Sequence, residues 1–490
     1  MNLTDSRLRE LDNPSLTANQ RGALRCRLAS EFIHIGQYES AREALGDLWQ
    51  GISQRPKVEG LEETIAAEVL LQCGALSGWL GTSKRIEGAQ DGAKDLISEA
   101  QRIFDAHTLY RRVADAQYEL GICYWRAGAF DEARLILHEA AERLGEKDTE
   151  QKAKILIRST LVEISAGRYN DAMRILRDAE DVFKTANDAL KGRWHMQKAL
   201  ILRRLGTAEK RVDYFDRAII EYTAAIYHLE QAKHERYVAN NENNLAFLLC
   251  KLGRYAEAHS HLDRAQKVFI RLEDAGSLAQ VRETRARVFL AEKRYEKAAD
   301  VISGAIGTLE KAGEKALLAD ALTVQATIEA RLGFHYRAIP TFVQAVKVAR
   351  DAGALESAGL AALSLLEEYA ASRLSEDEVY ETYCLADGLL RETQDAEAIA
   401  RLRACARRVA RRLAVVQIGG DFSLPEALKA DEARFIKRAL KEADGRVSRA
   451  ARLLGINHQK LNYLLETRHK DLMPARKPIV RRRRAIFKEK

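Results

Sequence analysis

One spacing constrains the fold of this chain more than any other feature. An alanine recurs at Ala41, Ala93, Ala133, Ala172, Ala218, Ala258, Ala298 and Ala338, and most of the intervals are 39 or 40 residues. Other columns keep the same register. Seven residues further on stand Ala100, Ala140, Ala179, Ala225, Ala265, Ala305 and Ala345. Four residues after the first alanine the side chain is large: Leu45, Ile97, Leu137, Leu176, Tyr222, Leu262, Ile302 and Phe342. Twelve residues before it come Ala29, Gly81, Gly121, Thr160, Ala246, Ala286 and Ala326, with Ala199 taking that place ahead of an insertion. Small residues seven apart share one helical face and let a neighbouring helix approach closely. A glycine five residues before the alanine, as in "GRYAEAHSHL" and "GAFDEARLIL", supplies the left-handed residue that ends a helix. Each unit is therefore expected to be two antiparallel helices joined by a tight turn. No unit can bury its apolar face without a neighbour. Only six prolines interrupt the chain, so helix is favoured almost throughout.

The pattern G-x-[YF]-x-x-A, with its small-residue columns, resembles the tetratricopeptide repeat (TPR) family over residues 21–350. The resemblance implies an all-α chain, an α-solenoid of about eight TPR-like helical hairpins with a period of about 40 residues. The period is longer than the family's usual one of about 34, and the family's terminal proline and early tryptophan are missing. HEAT repeats have a similar period, but the glycine-aromatic-alanine turn argues against them. Such arrays are binding surfaces, and their first helices line a concave groove. In "YVANNENNLAFLL", Asn240, Asn243 and Asn244 fall near groove-facing positions, and the neighbouring first helices offer Arg193, Gln197, Gln280, Glu283 and Arg287. A carboxamide donates and accepts at once, which suits the backbone of an extended peptide. The TPR family often uses asparagines in this way. The same residues also fit a helix start, as caps or decoration. The expected partner of the groove is a peptide or protein.

After Ala345 the repeats degrade. "SEDEVYETYCLADGLLRE" opens on a capping-box pattern, Ser375 with Glu378. "DAEAIARLRACARRVARRLAVV" reads as a terminal capping helix with Leu402, Cys405, Val409 and Leu413 on one face. Arg401, Arg403, Arg407, Arg408, Arg411 and Arg412 are expected to cover the rest. "QIGGDFSLP" reads as a boundary. The expected division is a segment 1–20, a solenoid 21–394, a capping helix and linker 395–423, and a terminal domain 424–490.

Charge separates that terminal domain from everything before it. Residues 421–490 hold 19 basic and 9 acidic side chains, whereas the preceding 420 residues hold 60 and 62. The whole basic excess lies at the end, as expected of a surface for a polyanion. The local pattern is three short helices. "LPEALKADEARFIKRALKEADG" places Ala433, Ile436 and Leu440 on one side, "SRAARLLG" follows from Ser448, and "INHQKLNYLLETRH" comes third. Ala451 is small where two helices touch, and Gly455 takes a turn that a side chain would strain. Ala450, Leu454, Ile456, Leu461 and Leu464 share the apolar contact. Asn457, His458, Gln459, Lys460, Asn462 and Tyr463 are left on the outer face of the third helix, with side chains that read base edges in a major groove.

The stretch "EARFIKRALKEADGRVSRAARLLGINHQKLNYLL" resembles the Fis-type helix-turn-helix (HTH) of bacterial regulators, through Ala439-Leu440, Ala450-Ala451 and Leu454-Gly455-Ile456. The resemblance implies double-stranded DNA as a partner, the last helix in the major groove, and a first helix that supports a homodimer. Arg446, Arg449 and Arg452 are placed for the DNA backbone. The chain departs from the family in its basic extension, where Arg481, Arg482, Arg483 and Arg484 suit phosphate or minor-groove contacts.

No sequence element points to catalysis. GxxxxGK[ST], GxGxxG, HExxH and GxSxG are all missing. His259 and His261 are two apart on a helix, so their rings diverge and cannot share a metal. Cys26, Cys73, Cys123, Cys250, Cys384 and Cys405 are scattered singly, which fits buried reduced thiols without a metal or disulfide framework. No signal-like or membrane-length apolar run occurs. The expectation is a cytoplasmic, non-enzymatic protein with no cofactor, metal or membrane partner. Two functions fit it. One is a DNA-binding transcriptional regulator with a sensing or docking solenoid. The other is an interaction scaffold whose basic end attaches to nucleic acid without sequence preference.

Overall fold

The computed structural model describes residues 8–34, 37–52, 54–84, 86, 88–145, 148–369, 373–414 and 423–475. The expected boundary around Gly419-Gly420 and the run Arg481–Arg484 lie outside them. The described residues contain helices and turns and no strand. The chain divides into two compact units, Met1–Ala410 and Arg411–Lys490.

Helices in the first unit follow one another as hairpins. The first four are Ala18–His34 (α1) with Tyr38–Leu45 (α2), Glu63–Lys84 (α3) with Ala89–Ala106 (α4), Tyr110–Arg126 (α5) with Phe130–Leu144 (α6), and Thr149–Ser165 (α7) with Tyr169–Asp178 (α8). The short Glu180–Thr185 (α9) extends the fourth. Then come Asp188–Glu209 (α10) with Val212–Gln231 (α11), and Glu235–Lys251 (α12) with Tyr255–Arg271 (α13). Ala275–Ala291 (α14) pairs with Tyr295–Ala312 (α15), and Lys315–Arg331 (α16) with His335–Asp351 (α17). The degraded sequence after Ala345 still forms a hairpin, Leu355–Tyr369 (α18) with Glu376–Leu389 (α19), before Ala396–Ala414 (α20). The capping box at Ser375 and Glu378 is present at the start of α19.

The repeat columns are the packing. All eight anchor alanines are fully buried, and so are the large residues four positions on. The small-residue requirement is steric. A Cβ added at Gly121 would lie 2.6 Å from Leu137 Cδ2, inside contact distance. The turns follow from backbone hydrogen bonding. Gly253, at φ 75°, lets its N–H reach the Cys250 carbonyl at 3.1 Å and the Arg254 N–H reach Leu249 at 2.9 Å. These two bonds satisfy carbonyls left open at the end of α12. In the next unit the equivalent residue is Lys293, which adopts φ 62° with a side chain attached.

Two expectations need correction. Arg401 does not join the outer arginines of α20. It packs inward, donating from Nε and Nη2 to the Glu367 carboxylate at 3.0 and 2.8 Å, and from Nη2 to Ser364 Oγ at 2.9 Å. Its position beside Leu402 and Cys405 puts the guanidinium within reach of α18, where a carboxylate outcompetes water. Cys384 is exposed rather than buried, although Cys26, Cys73, Cys123 and Cys405 are buried.

The second unit holds Leu424–Glu442 (α21), Val447–Leu453 (α22) and His458–Thr467 (α23). Ile436, Leu440, Ala450, Ala451, Leu461, Leu464 and Leu465 form its core, and Leu454 and Ile456 pack against it. Among the described residues no helix is long and apolar enough to cross a membrane.

Candidate functional site

The second unit builds a rigid support for one exposed helical face. Asp444 (φ 55°) and Gly445 (φ 73°) turn the chain out of α21, and Gly455 (φ 65°) turns it from α22 into α23. The turn is tight because Ala450 and Ala451 are buried where α22 meets its neighbours. Leu461, Leu464 and Leu465 then fix one side of α23 in the core. His458, Gln459 and Lys460 stand exposed on the first turn, and Tyr463 is 65% exposed one turn further on.

Asn457 and Asn462 sit differently from the sequence expectation. Asn457 is the N-cap of α23, and its side-chain oxygen accepts the Lys460 N–H at 2.7 Å. Its first task is to hold the helix start, since asparagine satisfies amides that have no carbonyl partner there. Asn462 is half-buried. Arg446, Arg449 and Arg452 are exposed around α22, and Arg452 Nε donates to the Ser448 carbonyl at 3.4 Å.

The segment after α23 also contributes to the support. The sequence predicts a basic arm from here on, but Lys470–Ala475 forms a 3-10 turn whose Leu472 and Met473 pack on the core. His469 is buried, with Nε2 3.0 Å from Glu432 Oε2 on α21. The His469 hydrogen bond and the nearby Arg468 guanidinium hold the Glu432 carboxyl below its ordinary range. Only one short apolar pair, Leu472-Met473, signalled this element, too short a run to show a period.

In the first unit, five of the eight expected groove residues meet. Asn243 and Asn244 of α12 and Gln280, Glu283 and Arg287 of α14 line a cavity of about 750 Å³. Arg287 is ion-paired to Glu283 one turn away. Asn240 and Arg193 lie outside that lining. Gln197 is buried, and its Nε2 donates to the Ile157 carbonyl at 2.9 Å. It therefore ties α10 to α7 and is not presented to a ligand in the groove. Burial pushes the carboxyl of Asp320, on α16 in the same lining, above its ordinary value.

Arg203, Arg204, Phe247 and Lys251, which the repeat register does not single out, also line the cavity. Arg203 and Lys251 lie over the Phe247 ring at 5.2 and 5.4 Å from its centroid. A signal existed: Asn243, Phe247 and Lys251 recur every four residues and so share one face of α12. The Asn243 Oδ1 is buried with no hydrogen-bond partner. His259 and His261 diverge toward Glu292 and Glu242 respectively. Among the described residues no group of side chains could hold a metal ion.

Fold and site together define a class, a stacked helical-repeat protein that ends in a helix-turn-helix. Residues 237–302 match the tetratricopeptide repeat family, and residues 428–465 match the Fis family of bacterial regulatory proteins. The chain therefore carries a tetratricopeptide repeat within its helical array and a Fis-family HTH after it. No curated protein is found to match the chain. Similar solved structures include the apo form of the quorum sensor NprR from B. thuringiensis, at 14% identity and TM-score 0.49, covering 70% of this chain and 92% of that one. Aspartyl phosphate phosphatase F from Bacillus subtilis is 14% identical with TM-score 0.45, covering 84% of this chain and 99% of that one. A Rap protein complexed with competence and sporulation factor is 13% identical with TM-score 0.43, again with coverages of 84% and 99%.

Proposed function

We propose that this protein is a DNA-binding transcriptional regulator of the cytoplasm, with no catalytic activity of its own. Its HTH selects a DNA site, and its solenoid channel takes up a peptide or protein segment. The observation that carries the reading is the outer face of α23, where Gln459, Lys460 and Tyr463 are exposed while the opposite face is locked in the core. A helix presented this way reads base edges in the major groove. Gln459 is assigned the adenine edge, because a carboxamide pairs bidentately there. His458, Lys460, Asn462 and Tyr463 border it, and Asn457 positions the helix start against the DNA. Arg446, Arg449 and Arg452, together with Arg481, Arg482, Arg483 and Arg484, are assigned to phosphates.

The active form is a homodimer. Leu428 and Phe435, seven residues apart on α21, are 60% and 57% exposed. Two such residues on one helical face support pairing with a second copy. In the channel, Asn243, Asn244, Gln280, Glu283 and Arg287 are assigned to the backbone and side chains of an extended segment. Asn240 and Arg193 are assigned to the approach beside it.

The scaffold reading is supported by the concentration of 19 basic side chains in the last seventy residues, which favours attachment to any duplex. Anisotropy titrations separate the two. The full chain and its Gln459→Ala/Asn462→Ala variant are titrated with a selected site and with a scrambled duplex. The regulator reading expects the variant to lose preference for the selected site by about tenfold or more. Equal affinities of the unaltered protein for both duplexes would leave only the scaffold.

A further inference from the structure

Part of the wall of the groove cavity comes from much later in the chain. The segment that joins α19 to α20 supplies it. Glu392, Thr393, Gln394 and Asp395 wall a cavity of about 820 Å³, and Asp395 and Glu397 also wall the adjoining cavity of about 750 Å³. The contacts made by this turn reach far back in the chain. Asp395 is ion-paired to Arg204 on α10, and Glu397 Oε2 lies 2.6 Å from Lys251 Nζ on α12. Gln394 covers the α7–α8 turn so closely that a Cβ on Gly167 would lie 2.2 Å from its own Cβ.

We propose that Glu392–Glu397 is an internal occupant of the ligand channel, seated where an acidic, extended peptide binds and displaced when one arrives. This rests on the peptide-binding reading of the channel given above. The turn engages cations that line the channel, Arg204 and Lys251, beside the amides of Asn243 and Asn244 and the ring of Phe247. It offers them two carboxylates from an otherwise polar stretch, "ETQDAE".

Its ionic hold is modest. Lys251 and Glu397 are 27% and 44% exposed, and such pairs contribute little net stability, whereas Asp395 is 12% exposed and also caps α20, its Oδ1 accepting the Ala398 N–H at 2.8 Å. The firm anchors of α20 lie further along, at Arg401 on Glu367 and at buried Cys405 and Val409. Displacement therefore uncaps and frays the first turn of α20, which includes Glu397, while the rest of the helix stays. Part of the contact is unfavourable as well. Desolvation, and then the charge of Asp395, push the neighbouring Glu356 carboxyl above its ordinary value. The buried Asn243 Oδ1 also remains unpartnered with the turn in place, and a peptide N–H would satisfy it.

The test uses the full chain and a fluorescein-labelled peptide ETQDAEAI, the sequence of residues 392–399. The Asp395→Asn/Glu397→Gln variant is expected to bind it about tenfold more tightly than the unaltered protein, the factor that two weak ion pairs together supply. Adding Arg204→Ala and Lys251→Ala to that variant is expected to abolish binding. Equal binding by the unaltered protein and the double variant would overturn the internal occupant and leave the peptide channel standing. Binding by neither, with both folded by circular dichroism, would sink the peptide channel and the occupant together. A second measurement needs no variant. Saturating unlabelled peptide is expected to speed trypsin cleavage after Arg391 several-fold in the unaltered protein, because the turn is released. Bound peptide with unchanged cleavage would contradict the proposal.

Discussion

His469 Nε2 lies 3.0 Å from Glu432 Oε2 and ties the residues after α23 back to α21. The carboxylate also receives the Arg468 guanidinium at 3.1 Å, so it is held by two partners from one short segment. A carboxyl whose value is lowered in the folded state stabilises it at pH values above the ordinary carboxylate range, and that contribution is lost as pH falls through the lowered value. Glu432→Gln is therefore expected to lower amide protection in α21–α23 by about 1 kcal/mol at neutral pH. The difference from the unaltered protein should vanish under strongly acidic conditions. Hydrogen exchange on the full chain reads it. A difference that grows on acidification would contradict this account of the pair.

Asn457 and Gln459 are two residues apart and should fail in different ways. Asn457→Ala removes the cap accepting from the Lys460 N–H and is expected to cost about 1 kcal/mol of α23 stability. DNA affinity should then fall evenly across sequences. Gln459→Ala is expected to leave stability unchanged and relax preference at one base pair by about 1–3 kcal/mol. Paired measurements of thermal melting and site preference distinguish them.

Phe435→Asp on α21 is expected to leave the HTH folded, because the side chain is exposed, and to weaken dimerisation by about tenfold or more. Sedimentation velocity over a concentration series checks this. An unchanged association constant would place the dimer contact elsewhere.

The repeat architecture makes a prediction of opposite sign at two sites. Lys293 holds φ 62° where its equivalents Gly253 and Gly333 have no side chain, so Lys293→Gly is expected to stabilise by about 1 kcal/mol. Gly121→Ala is expected to destabilise by about 1–3 kcal/mol, because its new Cβ would meet Leu137 Cδ2 at 2.6 Å. Chemical denaturation of each variant is the check.

The repeats were legible because steric demand repeats with them. Where two helices touch at Ala258 and Leu262, only a small and a large residue in fixed register will pack, and the chain repeats that solution eight times. The HTH was legible for a similar reason, at Ala451 and Gly455. What remained hidden depended on contacts between residues far apart in sequence. Nothing local marks Asp395 as the partner of Arg204, 191 residues earlier. Gln197 looked like a groove residue because its helix lines the groove, but its own position turns it toward α7. Asn457 looked like part of a reading face because a helix wheel does not show where the helix begins.

The most direct test of the central claim is selection from genomic DNA fragments, using the full chain and a version ending at Gly420, each at low and physiological salt. The account predicts a few enriched sites sharing a symmetric motif, recovered at both salt concentrations and only with the full chain. Recovery of fragments without a shared motif, collapsing as salt rises, would contradict it and reduce the basic end to an electrostatic anchor.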